Sequence, residues 1–185
     1  MTYRRGLFAA IVACAHFVFA AHASLAQSAS PNDMACMPLG SVETTDTPPR
    51  LARAVRDCIA QTRFDDAMQV FMAYSVFGTF DQQRVRDESG HMAFVELNSW
   101  IFGGYPSDVI SELRTVLARL RDRGDFFAET CAGLRNIGWP IYRPEYMIRR
   151  GILPLKDNDD WKNPDFSAAL AWETALVEVN GCPAQ

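Results

Sequence analysis

Apolar residues recur every three or four positions along most of the chain after residue 48, which is the spacing of one buried face on an α-helix. The pattern predicts helices within residues 48–61, 65–78, 81–103, 107–124, 125–136 and 164–181, with a single helical turn after Pro144. Gly78 is expected to end the second helix, and Asp81 is expected to cap the third. The clearest element is the fourth helix, whose buried stripe consists of Ile110, Leu113, Leu117 and Leu120.

No stretch alternates apolar and polar residues between turn signals, as a half-buried β-strand would. The expected fold class is therefore all-α, an irregular bundle of about six helices. The domain organisation follows from the same pattern: residues 49–185 form a single helical domain. Residues 27–48, which are rich in Ser, Thr, Pro and Asp, form a flexible N-terminal arm.

The first 26 residues have the order of a secretory signal peptide. A basic head with Arg4 and Arg5 precedes an apolar run, and small residues at Ala23 and Ala26 offer cleavage sites, of which Ala26 is favoured. The run is too short for a membrane span, which needs roughly 20 apolar residues. Twin-arginine export and a lipoprotein box ending at Cys14 are the alternatives. The expected location is periplasmic or secreted.

The cysteine count agrees with export. Cys14 would leave with residues 1–26, and four cysteines would remain: Cys36, Cys58, Cys131 and Cys182. They form no CxxC motif, which argues against a zinc site and against a thioredoxin-type centre. Three pairings are open, and we expect Cys36–Cys58 and Cys131–Cys182, because each pair would tie a terminal segment to a helix. The alternative is one disulfide and two buried thiols.

Net charge narrows the choice of partner. Cleavage after Ala26 would remove two arginines and no acidic residue, so the net charge would change from −4 to −6. An acidic chain lacks the basic face that neutralises phosphates. We therefore expect no nucleic acid as a partner, and the acidic charge is better suited to keeping the chain soluble or to binding a basic partner.

Phe64, Ala67, Phe71 and Tyr74 stand at the offsets of the large and small residues in the second helix of a tetratricopeptide unit. Residues 51–78 therefore resemble a tetratricopeptide-like helical hairpin, a unit of proteins that bind partners. The 34-residue repeat is not continued, because glycines interrupt the chain near Tyr105. The resemblance implies one such hairpin within the bundle.

Few residues suggest catalysis or metal binding. After cleavage His91 would be the one histidine, so the Glu88–His91 spacing cannot build a di-iron site, and neither a metal nor a cofactor is expected. Residues 157–163 resemble the start of a calcium loop, but Trp161 takes a ligand position. Glu96, close to Leu97 and Trp100, is the candidate general acid for an enzyme acting on peptidoglycan, which needs a carboxyl of raised pKa.

The segment between Trp139 and Gly151 has the composition of a binding loop. Trp, Tyr and Arg are enriched at interface hot spots, and prolines interrupt the segment. The predicted binding residues are Trp139, Tyr142, Arg143, Tyr146, Arg149 and Arg150. The alternative is that these aromatic side chains fill the space between irregular loops and the core.

Together these observations predict an exported, non-enzymatic protein-interaction module that does not span a membrane. Its size, charge and cysteine pairs are similar to those of immunity proteins that neutralise toxins delivered between bacteria, or of other envelope-associated proteins. The alternative is a hydrolase or lyase of the cell envelope that uses Glu96.

Overall fold

The computed structural model describes residues 36–122, 124–153 and 160–184. These residues form seven α-helices: α1 (Pro48–Ala60), α2 (Phe64–Arg84), α3 (Met92–Phe102), α4 (Ser107–Asp122), α5 (Gly124–Ile137), α6 (Glu145–Ile148) and α7 (Ala168–Asn180). No β-strand occurs in this part of the chain, so the predicted all-α class is confirmed. The proposed signal peptide and the calcium-like residues 157–159 lie outside the described residues.

Helix α2 is the centre of the bundle, and α1, α4 and α7 pack around it. It is longer than predicted, because it continues through Gly78 to Arg84. Gly78 does not end the helix; it admits the ring of Phe94 from α3, and a Cβ atom at position 78 would overlap that ring. The absence of a side chain therefore serves close packing between two helices rather than a helix end.

The predicted third helix begins later than expected. Residues 81–84 belong to α2, a short 3-10 helix covers Glu88–His91, and α3 starts at Met92. Asp87 causes part of this change, because its carboxylate accepts hydrogen bonds from the backbone N–H of Ser89 (3.0 Å) and from its hydroxyl (2.6 Å). Gly90 follows in the 3-10 helix, where a Cβ atom would overlap the carbonyl oxygen of Met147.

Two disulfides fasten the ends of the described chain, and both expected pairings are confirmed. The Cys36–Cys58 disulfide links the segment that precedes α1 to α1 itself. The Cys131–Cys182 disulfide links α5 to the segment that follows α7. Residues 36–47 pack against the helices, with Cys36, Leu39 and Asp46 buried. Disulfides are typical of oxidising compartments. None of the described helices combines the length and apolarity that crossing a membrane requires.

Candidate interaction surface

The predicted binding segment divides into an inward and an outward part. The hydroxyl groups of Tyr142 and Tyr146 both donate hydrogen bonds to Oδ2 of Asp81, at 2.9 and 3.0 Å. Asp81 is fully buried near the end of α2. These two tyrosines therefore attach α6 and the preceding loop to α2, and their hydroxyls do not face a partner.

Arg84 completes the buried network around Asp81. Its Nε donates to Oδ1 of Asp81 at 2.8 Å, and its Nη2 lies 2.6 Å from the same oxygen. Its guanidinium carbon lies 4.9 Å from the ring centre of Tyr142 and 5.8 Å from that of Trp161. The two tyrosine hydroxyls satisfy Oδ2 of Asp81, and Nη1 of Arg84 donates to the carbonyl oxygen of Pro140 at 3.5 Å. Nη2 of Arg84 is buried and contacts Asp81 as an ion pair without a hydrogen bond to the described residues, so the aromatic faces around the guanidinium are its remaining favourable contacts.

Burial controls the acidity of these groups. Removal from water raises the pKa of Asp81 to about 6, against the opposing effects of Arg84 and of the two tyrosine hydrogen bonds. Burial, together with the neighbouring Asp81 charge, also raises the pKa of Tyr142 and of Tyr146 well above the usual value. Both tyrosines therefore stay protonated and act as hydrogen-bond donors.

The free energy of unfolding is expected to fall as the pH rises from about 4 to above 6, since the folded state holds the Asp81 proton more tightly than the unfolded chain does. A group whose pKa is raised by folding makes its full contribution to stability at pH values below its pKa in the unfolded chain, here 3.8. That contribution is lost as the pH rises through its pKa in the folded protein, which is about 6. The expected loss is up to about 3 kcal/mol, measured by urea unfolding at a series of pH values. Asp81→Ala, which lacks this carboxyl group, is the reference. Parallel curves for the two proteins would contradict the assignment.

The remaining predicted binding residues face outward. Trp139 and Arg143 are exposed, and Arg149 has the most exposed side chain of the three arginines. Arg143 and Arg149 both contact the carboxylate of Glu145. Arg150 leaves this group and pairs with Glu96 of α3, with Nη2 at 2.9 Å from Oε1. The structure thus joins the end of the predicted binding segment to the candidate acid.

Glu96 itself has the electrostatics of a surface carboxylate. It is solvent exposed, and its hydrogen bonds to Arg150 lower its pKa below the ordinary value. A general acid in glycoside cleavage needs the opposite shift, which an apolar pocket provides. The surroundings of Glu96 in this structure favour a permanently charged member of an ion pair.

An apolar stripe on α3 surrounds this ion pair, and sequence reasoning did not single it out. The exposed residues of α3 recur at the spacing of one helix face, and we call them the α3 face: Met92, Val95, Glu96, Ser99 and Trp100. The three large apolar side chains of this face are each 46–48% exposed. An exposed apolar stripe on a helix that also has a buried apolar side is a candidate surface for a partner.

Two neighbouring features hold the α3 face in position. The guanidinium of Arg56 lies 4.7 Å from the Trp100 ring centre, and its Nη1 donates to backbone carbonyls at the end of α3. At the other end of α3, the backbone N–H of Ile152 donates to the hydroxyl of Ser89 at 3.1 Å. Ile152 is 80% exposed and adds a further apolar side chain beside the start of α3.

His91 lies apart from this surface, in a polar cleft of about 440 Å³ between the end of α2 and the start of α7. Its Nε2 lies 3.0 Å from the carbonyl oxygen of Val85. Glu88 and Asp165 line the same cleft. Within residues 36–122, 124–153 and 160–184, no three His, Cys, Asp or Glu side chains are grouped as a metal site requires.

The chain matches no protein-family model, no curated protein and no solved structure. The tetratricopeptide resemblance of residues 51–78 therefore stays a prediction.

Proposed function

We propose that the protein is an exported, non-enzymatic interaction module that binds a protein partner through the α3 face. The observation that carries the proposal is the repetition of Met92, Val95 and Trp100 along one exposed helix side, around the Glu96–Arg150 ion pair. The order of residues 1–26 and the two disulfides support an oxidising location.

The chemistry of the α3 face suits a macromolecular partner. Trp and Arg are the side chains most often found at interface hot spots, and Met adapts its shape to an opposing surface. Trp100 is already held by Arg56, so little side-chain entropy is lost when it is covered. The central ion pair is internally neutralised, which favours a partner that offers a mainly apolar surface with hydrogen-bonding groups at its rim.

Within this proposal, the specific role is that of an immunity-type protein, which occupies a delivered toxin by surface binding alone. Such a role needs a rigid surface and no reacting group. The two disulfides of the helical bundle support a rigid surface. The expected partner is a secreted protein that co-purifies in a fixed ratio and whose toxicity is relieved by this chain.

Val95→Arg is expected to weaken partner binding at least about tenfold, because it places an unpaired charge in the middle of the apolar stripe. The matched control is Leu170→Arg on α7, since Leu170 is 68% exposed and lies outside the α3 face. Both variants and the wild type are immobilised and incubated with native envelope extract, and the captured protein is then titrated by calorimetry. Thermal unfolding confirms that both variants stay folded.

Equal binding by Val95→Arg and Leu170→Arg would overturn the α3 face as the binding surface. The enzymatic alternative would be supported if the purified protein solubilised peptidoglycan and Glu96→Gln abolished that activity without lowering the melting temperature. That result would contradict the non-enzymatic role.

A further inference from the structure

An apolar groove of about 340 Å³ lies between α2, α3 and α4, separate from the residues of the α3 face. Its apolar lining consists of six side chains: Met68, Phe71, Phe102, Ile110, Leu113 and Leu117. Pockets that bind small ligands typically have volumes of roughly 300–1,000 Å³. The groove is therefore large enough for a small apolar molecule or part of one.

The walls of this groove are held in place by packing. The Phe71 ring lies against Tyr74 on one side, with ring centres 5.7 Å apart, and against Phe102 on the other, at 5.0 Å. Met68 and Leu113 are almost fully buried at its base. A wall built from mutually packed aromatic rings keeps its shape without a ligand, which reduces the ordering that binding requires.

Among the described residues that line the groove, one carries a positive charge. Arg114 of α4 lines the groove and is exposed, and it forms no ion pair with any described residue. Arg119, five residues further along the same helix, is paired with Asp65 of α2. Arg114 therefore offers a free guanidinium beside a hydrocarbon surface, and a guanidinium binds a carboxylate in a bidentate manner.

We infer that this groove binds an aliphatic carboxylate, with the hydrocarbon chain against the apolar walls and the carboxylate on Arg114. A single cation beside six apolar side chains complements a molecule with one anionic head and an apolar body. An extended peptide fits less well, because its backbone N–H and C=O groups would find no polar partner along walls of this composition. The inference does not depend on the partner proposed for the α3 face.

The test uses dodecanoate as the probe, at concentrations below micelle formation, with dodecanol and dodecylammonium as matched probes. Calorimetry on the purified protein should show saturable binding of one dodecanoate, and weaker binding of the two matched probes. Arg114→Gln should weaken dodecanoate binding about tenfold, the size expected for loss of one charge-assisted contact, and leave dodecanol binding unchanged. Arg119→Gln, which removes the paired arginine of α4, should leave both affinities unchanged.

Three results would overturn the inference. The first is absence of saturable binding by dodecanoate to a protein that unfolds cooperatively. The second is an equal effect of Arg114→Gln and Arg119→Gln. The third is evidence of a different occupant, tested with the variant Ile110→Arg. If the wild type is a dimer and this variant is a monomer, the groove binds a second copy of the chain. If this variant no longer binds the partner whose binding depends on Val95, the groove belongs to that partner's binding site. If Val95→Arg bound the partner as well as Leu170→Arg does, the dodecanoate result would be unaffected. The two proposals can therefore be contradicted separately.

Discussion

Replacing Asp81 with alanine is expected to lower the free energy of unfolding by about 3–5 kcal/mol near neutral pH, the range for breaking a buried ion pair from one side. The variant leaves the Arg84 guanidinium buried without its counter-charge. It also removes the acceptor of the Tyr142 and Tyr146 hydroxyl groups. Urea unfolding followed by circular dichroism measures the change.

Asp65→Ala is the matched control, because Asp65 lies on the same helix and forms an ion pair that is exposed on both sides. Exposed pairs of this kind contribute little, and we expect a change within about 1 kcal/mol. The double variant Asp81→Leu with Arg84→Met should recover the part of the loss that the unpaired Arg84 charge causes, but not the part that comes from the Tyr142 and Tyr146 hydroxyls, which still lack their acceptor. Equal losses for Asp81→Ala and Asp65→Ala would show that the buried network does not stabilise the fold.

Removing the Cys131–Cys182 disulfide with two serine substitutions is expected to lower the free energy of unfolding by about 4 kcal/mol in the chain-entropy model. The bond closes a loop with a sequence separation of 51 residues, whereas Cys36–Cys58 closes one of 22. Because the shorter loop restricts the unfolded chain less, removal of the Cys36–Cys58 disulfide is expected to lower the free energy of unfolding by about 3 kcal/mol. The two double-serine variants are compared by urea unfolding under oxidising conditions.

Reduction of the wild-type protein gives an independent check on both disulfides. The melting temperature should fall on addition of dithiothreitol, and each double-serine variant should respond less than the wild type. A larger loss for the Cys36–Cys58 variant than for the Cys131–Cys182 variant would contradict the loop-length argument. It would indicate that the packing of residues 36–47 against the helices depends on the first bond.

Features governed by local spacing were predictable. The apolar stripe of Leu113, Leu117 and Leu120 identified α4, and the even set of cysteines identified the two disulfides, because these signals depend on periodicity and count. Gly78 misled the prediction, since a glycine that ends a helix and one that admits a neighbouring ring look alike in sequence. Only the position of Phe94 distinguishes the two cases.

The candidate surface was harder to predict, because burial of a side chain depends on contacts distant in sequence. Tyr142 and Tyr146 lie in a segment whose composition is typical of a binding loop. They point inward because their hydroxyls donate hydrogen bonds to Asp81, which lies about sixty residues earlier in the chain. The α3 face was missed for the converse reason. Met92, Val95 and Trp100 have the character of core residues, and only the position of α3 at the edge of the bundle exposes them.

The contact between Gly78 and Phe94 also provides a built-in reporter. An aromatic ring this close to a glycine shifts the resonances of its two α-protons, and Tyr74 fixes the same residue by donating to the Phe94 carbonyl oxygen at 3.2 Å. Any movement of α3 relative to α2 would change that ring-current shift. A nuclear magnetic resonance spectrum would therefore detect occupancy of the outer side of α3 from a signal at the centre of the molecule, before the occupant is identified.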